Sequence, residues 1–213
     1  ACREAGDQID AVVFASSDKA YGAQPELPYD ESMPLLGEFT YDASKAAADV
    51  IARSYGVNYD LPLAVTRFAN LYGGGDSNES RLVPELVAAA LAGRPAVIRS
   101  DGSPERDYLY VNDAADAYVA IASGLISNDL TSDAFNAGSG KPYSVRELVE
   151  TFANVVPSQQ ARFIGAGVPD GEIDRQYVSA ERLRRECGWT PKVDLATGLA
   201  ETFAWYQAHA AAH

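Results

Sequence analysis

Histidine, cysteine and lysine are all scarce in this 213-residue chain, and each shortage removes a class of chemistry. The two histidines, His209 and His213, both lie in the C-terminal tail. No histidine-based metal centre is therefore expected. The two cysteines, Cys2 and Cys187, stand near opposite ends and fit neither a metal-ligand nor a redox spacing. They read as reduced thiols of a cytoplasmic protein. Basic residues number 17 against 30 acidic ones, a net charge of −13. Such a surface repels phosphate backbones at long range, which argues against nucleic acid and anionic membranes as partners. No apolar run approaches the roughly 18 residues that cross a bilayer. The opening ACREAGDQID is too polar for a signal peptide. It also lacks an initiator Met and a helix-start signal, so the chain is expected to begin inside a larger protein.

What basic character exists is mostly arginine, with four lysines only. A planar guanidinium contacts phosphate through two parallel hydrogen bonds, so a small anionic ligand in a locally basic cleft stays open. Hydrophobic residues make up 47% and charged residues 22%, ordinary for a globular domain.

Along the chain, DAVVFASS (10–17) is a short apolar run that reads as a buried parallel strand. A loop punctuated by Gly22, Pro25, Pro28 and Pro34 follows. From Tyr41 to Tyr59, apolar residues recur every three or four positions, as on one helix face. LPLAVTRFAN (61–70) is a second apolar strand. Strand, helix, strand with short links predicts a parallel crossover unit. Gly73–Gly75 break the pattern. Beyond them come helices over 82–91, 113–125, 144–155 and 197–208 and short strands over 96–99, 107–111 and 134–137. Ser144 and Glu147 have the spacing of a capping box. The expected class is α/β: residues 1–75 form part of a Rossmann-like parallel sheet, and 76–213 a smaller mixed domain with segments returning to it.

The chemically informative residues gather in the first part. Tyr41 and Lys45 lie four apart, hence on one helix face. An ammonium beside a phenol favours the phenolate, which suits such a tyrosine to act as a base. On its own the pair is a weak signal, since such pairs are more often half-exposed packing. Ser17, Asp18 and Lys19 follow the first strand, and ligands of open α/β sheets bind outside the carboxyl ends of strands. A polar turn is the plainer reading of Ser-Asp, but the two features together predict an active site. Asn70 ends the second strand beside the glycine cluster, where an anion can be met. Arg106 and Arg175 occupy polar stretches and are candidate diphosphate clamps, or else solvated surface arginines.

These segments resemble a known family. VVFASSDKAYG, LPYDES, YDASKAAADVIARSYG, LPLAVTRFANLYGGGD, SRLVPELV, SDGSPERDYLYVNDAADAY, FNAGSG and EIDRQYVSAERLRRECGWTP are similar, in order, to extended short-chain dehydrogenase/reductases of the NAD-dependent nucleotide-sugar epimerase/dehydratase group. The nearest subgroup looks like the CDP-glucose 4,6-dehydratases. The resemblance implies that Tyr41 takes the sugar 4-hydroxyl proton as the C4 hydride passes to NAD+, with Ser17 holding that oxygen. Lys45 would bind the nicotinamide ribose, and Phe68 would lie near the nicotinamide. Asp18 would protonate the leaving 6-hydroxyl, and Lys19 stands where many relatives carry a glutamate that removes the C5 proton. Asn70, Arg106 and Arg175 match diphosphate contacts, and Leu82 and Val83 match the wall of the base pocket. The partner implied is a nucleoside-diphosphate sugar, CDP-glucose-like; an epimerase, or a binding module without redox activity, is the alternative. The family's G-x-x-G-x-x-G turn, which cradles the NAD pyrophosphate, does not occur in the sequence. The first strand is therefore expected to have an open edge, covered by an N-terminal segment or by a homodimer partner.

Overall fold

A computed structural model describes residues 1–131, 133–157, 159–167 and 173–209. Glu172 of the EIDRQY stretch and His213 lie outside the described residues.

A four-residue helix, Cys2–Ala5 (α1), precedes the first strand, Val12–Ala15 (β1). Helix Thr40–Tyr59 (α2) then leads to Leu63–Phe68 (β2). β1 and β2 pair in parallel, Val13 opposite Ala64 and Phe14 opposite Val65. The predicted crossover unit is thus present. Its helix stops at Asp60, whose left-handed backbone (φ 51°) turns the chain while its N–H bonds back to Gly56. The sheet is completed by Ala134–Ala137 (β6), more than 60 residues further on, parallel to β2 on its other side.

β2 is the central strand and every residue in it is buried. Its alternate side chains serve two faces. Leu63 and Val65 pack with Ala52 of α2, whereas Ala64 and Phe68 join Ala117 and Ile121 of the helix Val111–Ile126 (α4). Two-sided cover explains why this strand reads as a continuous apolar run. The exception is Arg67, on the α2 face. Its guanidinium donates to both carboxylate oxygens of Asp49 on α2, at 2.7 and 2.9 Å, and to the Tyr21 hydroxyl at 3.0 Å. Both charged side chains are buried, 1% and 0% exposed. β1, by contrast, pairs only with β2 among the described residues and is half-buried, so it is the open edge that the sequence predicts.

The apolar run continues to Asn70, but the strand ends at Phe68. Asn70–Tyr72 (β3) instead leaves for a second sheet, pairing in parallel with Glu105–Tyr110 (β5). The lower half of β5 takes Pro142–Ser144 (β7) antiparallel and Arg175–Gln176 (β9) parallel. Ala96–Ile98 (β4) pairs with Ala161–Phe163 (β8). Helices Leu82–Leu91 (α3), Val145–Val155 (α5) and Leu195–His209 (α7) enclose a second core around Leu86, Leu148, Phe152 and Leu199. α5 begins on the predicted capping box: the Ser144 hydroxyl accepts from the Glu147 N–H, and the Glu147 carboxylate accepts from the Ser144 N–H. Glu181–Cys187 (α6) packs against β6 and α4. Among the described residues no helix is long and apolar enough to cross a membrane, and no cluster of His, Cys, Asp or Glu could hold a metal ion.

Candidate active site at the strand ends

The site forms where β1 and β2 end, as expected for an open parallel sheet. After Ala15 the chain enters a single 3-10 turn, Asp18–Tyr21, capped by Ser17, whose hydroxyl accepts from the Lys19 N–H at 3.2 Å. The same hydroxyl donates to Asp18 Oδ1. Asp18 is buried, and among the described residues its Oδ2 has no hydrogen-bond partner; nor does the buried hydroxyl of Ser16. Each such orphan costs on the order of 1–3 kcal/mol, a cost more often carried at functional sites than elsewhere. The turn is anchored from below by Tyr21, fully buried, whose hydroxyl donates to Asn136 at 2.8 Å and accepts from Arg67. Burial pushes that phenol up to about 12.

α2 brings its first turn against this one. Tyr41 is 57% exposed and Asp42 is buried beneath it. Burial raises the Asp42 carboxyl above its usual range, the Lys19 ammonium opposes that shift, and Asp18 adds to it. Gly37 lets the preceding loop cross the start of the helix. A Cβ there would sit 2.4 Å from the Asp42 carbonyl carbon and 2.5 Å from the Ala43 nitrogen. The Lys45 ammonium lies 5.8 Å from the centre of the Tyr41 ring, one turn along the same face.

Ser17, Lys19, Tyr41, Phe68, Asn70, Leu82 and Val83 line one cavity of about 480 Å³. Seven residues singled out in the sequence thus meet across four segments. Asp18 lies behind the wall rather than on it, and Lys45 stands beside the cavity next to Tyr41. A second cavity of about 900 Å³ shares Arg81, Leu82 and Tyr108 with the first and adds Arg99 and Arg106. Arg106 is buried, and one guanidinium nitrogen donates to the Glu105 and Asp174 carbonyls at 2.8 and 3.1 Å. Arg175 is not brought to either cavity. It is half exposed, ion-paired to Glu105 at 2.7 Å and stacked over Tyr177. Arg81, Arg99 and Tyr108 were not singled out from the sequence. Tyr108 was within reach of the strand rule, because it follows Arg106 by two residues on β5 and shares its face. Arg81 and Arg99 carried no local signal, since their convergence depends on the second sheet.

Behind the turn lies Asp107, fully buried on β5, accepting from the Ser139 N–H and hydroxyl and from the Gly140 N–H. Burial pushes this carboxyl up to about 6 against those donors.

The sequence model of the NAD dependent epimerase/dehydratase family matches residues 1–138. The dTDP-glucose 4,6-dehydratase of Streptomyces griseus is 30% identical, over 94% of this chain and 60% of its own length. The UDP-glucose 4-epimerase of Mycolicibacterium smegmatis is 34% identical, over 97% of the chain and 65% of its own length. The crystal structure of dTDP-glucose 4,6-dehydratase from Bacillus anthracis in complex with NAD superposes with a TM-score of 0.83 at 29% identity, covering 97% of this chain and 65% of that one. The chain therefore spans about three fifths to two thirds of the length of these proteins.

Proposed function

Because the chain belongs to the NAD-dependent epimerase/dehydratase family, we propose that it is the substrate side of a nucleotide-sugar 4,6-dehydratase. The overall reaction is oxidation at C4, loss of water across C5 and C6, and reduction at C6. One observation carries this reading: Ser17, Lys19 and Tyr41 share a cavity wall that runs into a second cavity bearing Arg81, Arg99 and Arg106. The arginine-lined part suits a nucleoside diphosphate of the CDP-glucose kind, with its sugar directed at Tyr41.

The roles follow from the groups present. The Tyr41 oxygen takes the proton of the 4-hydroxyl, and Ser17 Oγ holds the same sugar oxygen. The Lys19 side chain, in its neutral amine form, removes the C5 proton. Asp18, whose carboxyl must swing from behind the cavity wall to meet the sugar, supplies as a carboxylic acid the proton that leaves with the 6-hydroxyl as water. Asn70 and Arg106 hold the diphosphate, with Leu82 and Val83 beside the base. NAD+, when bound, supplies the hydride acceptor at C4. Tyr41, Lys45 and Phe68 suit its nicotinamide end, and Tyr41 and Lys45 share one face of α2. The residues for its pyrophosphate are not among these 213, which carry no G-x-x-G-x-x-G turn. The open edge of β1 and the exposed Val50, Ile51 and Tyr55 of α2 favour pairing with the remainder of such a protein or with a second copy.

A 4-epimerase is the second reading, favoured by the 34% identity to the mycolicibacterial enzyme. Calorimetric titration with CDP, UDP and dTDP tests the binding half: at least one binds, and Arg106→Ala weakens it. Incubation of the intact enzyme with the matching NDP-glucose tests the chemistry. A 4-keto-6-deoxy product supports dehydration and a C4 epimer the alternative; binding of none of the three nucleotides sinks the proposal.

A further inference from the structure

The catalytic turn has one more contributor, from the far end of the chain. Gln176 on β9 is fully buried, in register with Arg106 of β5. Its side-chain N–H donates to the Asp18 carbonyl at 2.8 Å, across 158 residues of sequence. Its side-chain carbonyl accepts a hydrogen bond from the Lys19 ammonium. One amide therefore grips both the backbone of the turn and the end of the lysine that the turn presents. A lysine has four rotatable side-chain bonds, and an unheld amine would sample many positions around the cavity mouth.

We propose that Gln176 is the positioning residue of the dehydratase site, fixing the Lys19 amine at the cavity wall beside Tyr41. This deepens the functional reading above, since it assigns Lys19 a role in the chemistry. An amide is suited to the task where a carboxylate is not. It is neutral, so it accepts from the ammonium without the strong stabilisation of positive charge that a carboxylate partner gives. It also carries the N–H that the Asp18 carbonyl needs; a glutamate would turn that contact into repulsion between two acceptors. The charged groups around the amine include Asp18, in the same turn, and Asp42 of α2. Further off, Asp107 of β5 faces Asp18.

The scarcity of lysine makes the proposal directly measurable. Protein labelled with 13C-lysine should give four side-chain signals, assignable by single Lys→Arg changes. In Gln176→Glu the Lys19 signal should titrate about one pH unit higher than in the wild type, as expected of an added carboxylate within hydrogen-bond reach. Lys45, Lys141 and Lys192 should stay put. In Gln176→Met the Lys19 signal should move while the other three hold. Where a Gln176 variant does not fold, the reverse measurement serves: in Lys19→Met the Gln176 side-chain amide protons should shift and exchange faster. Unmoved Lys19 signals in folded Gln176 variants, or an unmoved Gln176 amide in Lys19→Met, overturn the assignment. A failure to bind nucleotide with these shifts intact would instead overturn the dehydratase reading and leave the Gln176–Lys19 contact standing.

Discussion

Removing Asp49 should damage the protein more than removing Arg67, although each deletes the same ion pair. The pair is bidentate and buried, and it ties α2, which carries Tyr41 and Lys45, to the central strand β2. In Asp49→Leu the Arg67 guanidinium stays buried with the Tyr21 hydroxyl as its remaining partner from this cluster. An uncompensated buried charge costs about 3–5 kcal/mol. For a chain of this size that lowers the melting temperature by about 6–20 °C. In Arg67→Met the Asp49 carboxylate keeps Arg53, 2.8 Å away and partly exposed to solvent, so the loss should be smaller, about 1–3 kcal/mol. The double variant Asp49→Leu/Arg67→Met leaves no uncompensated Arg67 charge. It should recover to within about 1 kcal/mol of the wild type, because well-packed apolar replacements of buried pairs are often neutral. Urea unfolding followed by circular dichroism gives all four corners of the cycle. Equal losses for the two single variants, or a double variant as unstable as Asp49→Leu, would refute the reasoning.

Further outcomes are expected. Asp107 has a folded-state pKa of about 6, above its unfolded value, so the folded state holds its proton more tightly. The stability it contributes is present below about pH 4 and is lost as pH rises through 6, by about 3 kcal/mol in total. The urea midpoint of the wild type, measured relative to Asp107→Asn, should therefore fall across that window; a flat difference contradicts the assignment. Gly37→Ala should cost about 1–3 kcal/mol, because the new methyl group meets the α2 backbone rather than a side chain that can swing away. Denaturation and the near-ultraviolet signal of the tyrosines report it. Arg106→Ala should weaken nucleoside diphosphate binding at least tenfold, about 1.4 kcal/mol or more. Arg175→Ala, outside both cavities, should change it less than about threefold in the same titrations, in keeping with an exposed ion pair.

Much of this was legible in the residues. β1, β2 and α3 showed themselves as apolar runs, α2 through its helical periodicity, and α5 through its capping box. β7, β8 and β9 are two or three residues long, and α6 has seven, too short for any period to build up. Ser17, Lys19, Tyr41 and Asn70 were found because strand ends and one helix face gather them locally, whereas Phe68, Leu82 and Val83 came from the family resemblance alone. Arg81, Arg99 and Gln176 were not found, because the second sheet brings them in from distant segments; Tyr108, on the same face of β5 as Arg106, was within reach of the strand period and was passed over. Arg67 is a separate lesson: the apolar run reads straight through it, and its partner, 18 residues earlier, sits on the helix that covers it.

The bond between Lys19 and Gln176 also bears on synthesis. A ribosome delivers the chain from its N-terminus, so the turn after β1 emerges long before the strand that holds it. Until β9 has left the exit tunnel and paired with β5, the turn lacks both of its bonds to Gln176. Contacts so distant in sequence are slow to close. A nascent chain arrested before residue 176 should therefore carry its sheet core without an ordered site. β9 thus acts as a latch that closes late, since the turn gains its bonds to Gln176 only after this strand has been made and has paired with β5.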